Sequence, residues 1–123
     1  MYTIKSDLEK NLLILHLEGF LDDAQLKEGA DKCIEEAKKL KPGFAVINDI
    51  SKMKPGSPKG AEEIMRAQVF VVKQGVGLII RITDNPISKM QFSRTAKEAG
   101  YQAKEVKDMD EALKKVDEYL QTA

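Results

Sequence analysis

Three short, mainly apolar runs at residues 12–17, 44–50 and 78–82 set the tightest bound on how this chain can fold. Each is too short for a core helix and reads as a strand covered on both faces. Segments with apolar residues at helical spacing separate them. Doubly buried strands alternating with amphipathic helices build a mostly parallel sheet with crossover helices packed on it. An alternating strand at residues 2–6 and a polar turn at 6–11 precede the first run, so the sheet should open with an antiparallel hairpin. The expected order is ββαβαβαβα in an α/β fold with a single mixed, mostly parallel sheet.

The helices follow from caps and periodicity. Asp22 or Asp23 caps the first, with Gln25 completing a capping box, and Leu26, Ala30, Cys33, Ile34, Ala37 and Leu40 form its apolar stripe. Pro42 and Gly43 end it. The second helix opens at Ser57 and Pro58, with Ala61, Ile64, Met65, Gln68 and Val72 as its expected buried face, and stops at Gly75. Val69, Phe70, Val71 and Val72 form an apolar run near its end; a doubly covered helix, a homodimer contact or a hydrophobic pocket would each explain it. Asn85 and Pro86 start the third helix, which runs to Gly100. Residues 101–106 read as an edge strand. Asp108 and Glu111 form a second capping box before the last helix.

A chain of 123 residues fits one domain with one core. Twenty basic residues balance twenty acidic ones, which argues against a general nucleic-acid or anionic-membrane surface. The lone Cys33 cannot form an internal disulfide, so a reducing, cytoplasmic setting is expected. No signal-peptide pattern opens the sequence, and no apolar run approaches the roughly 20 residues of a membrane span.

The segment at residues 44–72 locates the candidate site. A strand, a loop at residues 51–56 and a helix start at Ser57 present backbone N–H groups and a hydroxyl where open α/β sheets usually meet ligands and partners. A phosphate on Ser57 would sit at the positive end of a helix, with Lys54 and Lys59 nearby; the same serine followed by proline is also an ordinary helix cap. Lys52, Lys54, Lys59, Gly56 and Gly60 complete a surface suited to a protein partner or a small anion. No phosphate-loop spacing is present. Asp49 either belongs to this surface or shapes the turn by accepting loop N–H groups. His16 lacks a second ligand at metal spacing, so neither a metal nor a cofactor is expected. Cys33 should be inert packing. Arg81, inside a buried strand, calls for a carboxylate partner. No nucleophile–base pair appears, so an enzyme is not expected.

Several of these words resemble the STAS domain family, named for sulfate transporters and anti-sigma factor antagonists, and in particular its soluble antagonist-like branch. Leu17, Glu18, Gly19, Phe20, Leu21 and Asp22 are similar to the family's lead into its first helix, and residues 44–51 to its central strand. Residues 77–82 and Ala99, Gly100 and Tyr101 fall where the next strand and the third helix's end should be. The resemblance implies a non-catalytic regulatory or protein-interaction domain whose partner is an anti-sigma factor or another signalling protein. It also implies a phosphorylated hydroxyl at the start of the second helix. Here Pro58 stands at that position if Gly60 is aligned with the motif glycine, and Ser57 takes it only if the alignment slips by one. The other reading of the chain is a carrier or sensor of a lipid or a small anionic or apolar ligand.

Overall fold

The computed structural model describes residues 1–122. Five strands, β1 (Tyr2–Asp7), β2 (Leu12–Gly19), β3 (Ala45–Met53), β4 (Leu78–Ile82) and β5 (Lys104–Val106), form one sheet in the order β1-β2-β3-β4-β5. β1 and β2 pair antiparallel and every later pair is parallel. The helices are α1 (Asp23–Ala37), α2 (Pro58–Gln74), α3 (Pro86–Ala99) and α4 (Met109–Thr122). The expected ββαβαβαβα order is therefore the observed one.

Side-chain alternation divides the core between the two faces of the sheet. Leu13, Val46 and Ile79 pack beneath α1 and α2 with Cys33, Ala37 and Val71. Nearer the carboxyl ends of the strands, Leu17, Ile50 and Met53 meet Leu21, Leu26, Ile64 and Phe92. On the opposite face Leu12, Ala45, Ile47, Ile80, Ile82 and Val106 receive Ala112 and Val116 of α4. Three crossover helices thus share one face, and α4 covers the other.

Local chemistry accounts for the boundaries. Asp22 is the α1 cap, its carboxylate accepting from the Gln25 N–H while the Gln25 side chain accepts from the Asp22 N–H, at 2.8 and 2.9 Å. α2 ends at Gly75, whose φ of 98° is a left-handed turn that glycine adopts without strain.

Three expectations need correction. β3 does not end at Ile50: after an irregularity opposite residues 16–18 it resumes pairing with β2, Lys52 beside Glu18 and Met53 beside Gly19. Backbone pairing with β2 outweighs the polarity of Ser51 and Lys52. The last strand covers only residues 104–106 of the expected 101–106. The buried face of α2 is Gly60, Ile64, Gln68 and Val71, while Ala61, Met65 and Val72 are half-buried. Phe70 packs at the margin of the core beneath Lys38, whose ammonium lies 5.9 Å from the ring centre.

Glu36 was not visible as a structural residue in the sequence. Its buried carboxylate accepts from Lys39 at 2.6 Å and from the backbone and hydroxyl of Ser6 at 3.2 and 3.0 Å, tying α1 to β1. The Lys39 bond, helped by Ser6 and Lys32, holds its carboxyl below the usual range against the opposing effect of burial. A carboxyl lowered in the folded state contributes stability at neutral pH that is lost as pH falls through its folded value. Glu36→Gln should therefore cost about 1 kcal/mol at neutral pH and flatten the acid limb of the stability curve, read from urea midpoints against pH.

Candidate functional site

The entrance to α2 is held from both sides. Ser57 is the helix cap, and its Oγ accepts the Gly60 N–H at 3.0 Å while donating to the Asp23 carboxylate at the start of α1. Gly60 lies against Leu26: a Cβ there would stand 2.5 Å from the Leu26 Cδ1, so a larger residue would have to push the Leu26 side chain aside. On the other side, α3 grips the loop. Gln91 accepts the Gly56 N–H at 3.1 Å and donates to the Gly56 carbonyl at 3.0 Å. The fully buried Ser88 hydroxyl donates to the Met53 carbonyl at 2.8 Å.

What this frame leaves exposed is apolar and basic. Ile87 and Met90 of α3 are 64% and 70% exposed. With Pro55, Pro58 and Arg94 they line a groove of about 630 Å³ between the loop and α3. Residues 51–60 and 86–97 together hold six basic residues and no acidic one, in a chain whose charges balance overall. Lys54, Lys59 and Arg94 have no carboxylate within 4.0 Å among the described residues, whereas Lys89 pairs with Glu105 at 3.2 Å and Lys52 with Glu18 at 3.8 Å.

Of the residues expected at the site, Lys54, Gly56, Ser57, Lys59 and Gly60 lie together around the helix start. Lys52 stands one step earlier, at the end of β3. Asp49 is set apart. It accepts the Ser51 N–H and hydroxyl at 3.1 and 2.7 Å, and its other oxygen lies 3.1 Å from His16 Nδ1. Its neighbour Asn48 faces the interior under α1 and α2, so alternation puts Asp49 on the opposite face of the sheet. His16 also has Glu18 3.7 Å from its Nε2. Among the described residues no group of three potential ligands could hold a metal ion.

Inside, the expected carboxylate partner of Arg81 is absent among the described residues. Arg81 is 3% exposed; its Nη1 donates to Ser93 Oγ at 3.0 Å, and its guanidinium lies 5.9 Å from the Phe92 ring centre. Glu105 lies across from it on β5 but is engaged by Lys89. Cys33 is buried, and burial pushes its thiol up to about 12, as expected of inert packing.

No protein-family model matches the sequence, and neither does any curated protein. Solved structures do match. The unphosphorylated form of the anti-sigma factor antagonist SpoIIAA superposes with a TM-score of 0.68 at 12% identity, over 95% of this chain and 98% of that one. An uncharacterised DUF3478-family protein with a SpoIIAA-like fold, from Shewanella loihica PV-4, superposes with a TM-score of 0.68 at 16% identity, over 94% and 93% of the two chains. The fold is SpoIIAA-like. The structural likeness thus agrees with the fold that the sequence words implied. Among the described residues, no helix of this SpoIIAA-like chain is long and apolar enough to cross a membrane.

The Ser88 and Gln91 contacts escaped the sequence reading because polar residues on a helix ordinarily face water. Their spacing of three, on the same face as Phe92 and Thr95, was the available signal. Gln91→Leu would leave the N–H and carbonyl of Gly56 without protein partners. It should destabilise the fold by about 2 kcal/mol and speed amide exchange at Gly56, measured by denaturant titration and hydrogen exchange.

Proposed function

We propose that this chain is a non-catalytic STAS-type regulatory domain that binds a protein partner through residues 52–60, the start of α2 and the neighbouring stripe of α3. One observation carries the reading: Ile87 and Met90 stand exposed beside a pinned loop, on a surface where Lys54, Lys59 and Arg94 have no carboxylate within 4.0 Å among the described residues. Apolar anchors ringed by unpaired lysine and arginine suit an acidic protein surface with apolar residues at its centre. A structural neighbour whose own role is to antagonise an anti-sigma factor, itself a protein, supports the same class of activity. The lone, buried Cys33 suits a cytoplasmic setting.

The test is capture from the native organism, with the recovered proteins identified by mass spectrometry. Met90→Asp and Lys59→Glu should each remove the same partner, while Lys114→Glu on exposed α4 should retain it. A captured set that none of the three changes would overturn the reading.

Within this reading Ser57 is the modification site, and Asp23 decides its effect. A phosphate there would break the bond to Asp23 and set a dianion beside a carboxylate, separating the starts of α1 and α2. Ser57→Glu should therefore destabilise the protein by about 1 kcal/mol, and Asp23→Asn should reduce that cost when combined with it. Thermal melts of the two single variants and the double variant measure the coupling; additive effects would exclude Asp23 from the role.

A further inference from the structure

We infer that the interior beneath α1 and α2 is a binding site for a short aliphatic monocarboxylate. Among the described residues, five buried side-chain polar atoms have no hydrogen-bond partner: Asn48 Oδ1, Gln68 Oε1 and Nε2, Arg81 Nε and Thr83 Oγ1. Four of the five belong to residues that cluster. Asn48 and Arg81 sit side by side on β3 and β4, and Asn48 and Gln68 line one cavity of about 70 Å³. Tyr101 lines that cavity and also the adjoining cleft of about 390 Å³, which Arg81, Ser93, Lys97 and Glu105 bound. Apart from Gln25 and Tyr2, the remaining cavity wall is apolar, with Leu15, Leu21, Ile64, Val71 and Ile79 among its residues.

The chemistry of these groups selects the ligand. Gln68 is 7% exposed and neither end of its amide makes a well-aligned hydrogen bond, the Tyr101 hydroxyl being its one polar contact, and native interiors rarely leave such a group unsatisfied. Arg81 is a buried cation with a free N–H and no carboxylate among the described residues, an arrangement that costs free energy until a negative charge joins it. Burial keeps the Tyr101 phenol protonated, pushed up to about 12 against the Arg81 charge and the hydrogen-bonding contacts that Gln68 and Arg81 make with its oxygen, so its O–H is left to donate. A carboxylate takes N–H groups from Arg81 and Gln68 and the O–H of Tyr101, and it supplies the missing charge. Turning the Asn48 amide over would offer it a further donor. Water or an alcohol can fill the hydrogen bonds but brings no charge, and a cation would oppose Arg81. Glu105, the one carboxylate bordering the cleft, is already held by Lys89.

The apolar wall takes the tail. The cavity, about 70 Å³, is about half the 150 Å³ that admits benzene in an engineered protein core, so a tail of about three carbons fits without repacking. The cleft that Arg81 and Tyr101 share with the exposed Ser93 and Lys97 is the way in. This assignment does not depend on the contact surface proposed above, which lies at the entrance to α2.

The experiment titrates isotope-labelled protein with sodium butanoate, sodium decanoate and butan-1-ol, following the Gln68 amide, the Arg81 Nε–H and the Tyr101 ring by NMR. Butanoate should give saturable shifts at all three groups and raise the melting temperature, with butan-1-ol and decanoate each about tenfold weaker or more. Arg81→Met should weaken butanoate by about tenfold or more and leave butan-1-ol unchanged. Gln68→Leu, which removes the unsatisfied amide, should melt higher than the parent in acid-free buffer yet bind butanoate more weakly. Butan-1-ol acting as strongly as butanoate, unchanged butanoate affinity in either variant, or shifts confined to surface lysines would overturn the site. Decanoate binding as tightly as butanoate would overturn the short-chain assignment.

Discussion

The fold depends on burying β2, β3 and β4 on both faces. Each crossover steps to the next strand in the same direction, so α1, α2 and α3 are forced onto one side, and α4 is left to close the other. α4 packs on β3, β4 and β5, and the β1–β2 margin of its face remains polar, with Thr3, Lys5 and His16 there. The same arrangement gathers the carboxyl ends of the parallel strands and the starts of the helices that follow them at one end of the molecule. The entrance to α2 is one of these starts, and its position follows from strand direction rather than from its own lysines.

That entrance is shaped from beneath. Asp23 holds Ser57, Gln91 holds Gly56, Ser88 holds Met53, and Leu26 fills the space that Gly60 leaves. A single buried hydrogen bond contributes only about 1 kcal/mol, but several converging on a few residues fix a loop that would otherwise sample many conformations. The surface above is consequently prearranged. Contact with a partner would not have to order it, which lowers the entropy cost of association.

Element order, sheet direction and most of the core were legible because they rest on apolar periodicity. The reading faltered where backbone or small residues decide the outcome. Gly60 has no side chain to register as apolar, yet it is buried against Leu26 of α1, so the buried face of α2 includes Gly60 where Ala61 was expected. β3 runs past its apolar residues because ladder pairing with β2 continues after the irregularity. At the site, the helix cap and the exposed lysines could be read from local sequence, but the hold of Gln91 on Gly56, 35 residues away, could not. The expectation for Arg81 rested on sound electrostatics and still misplaced the partner: a hydroxyl and an aromatic ring stand where a carboxylate was expected.

The agreement between strand order in the chain and strand order in the sheet has a kinetic meaning. Every strand pairs with the one made immediately before it, so no segment has to wait for a distant partner while exposing an apolar edge. The hairpin of β1 and β2 can form first and serve as the template onto which each strand–helix unit is laid in turn. Growth ends at β5, whose three residues begin with the charged Lys104 and Glu105 and give a further strand little to grasp.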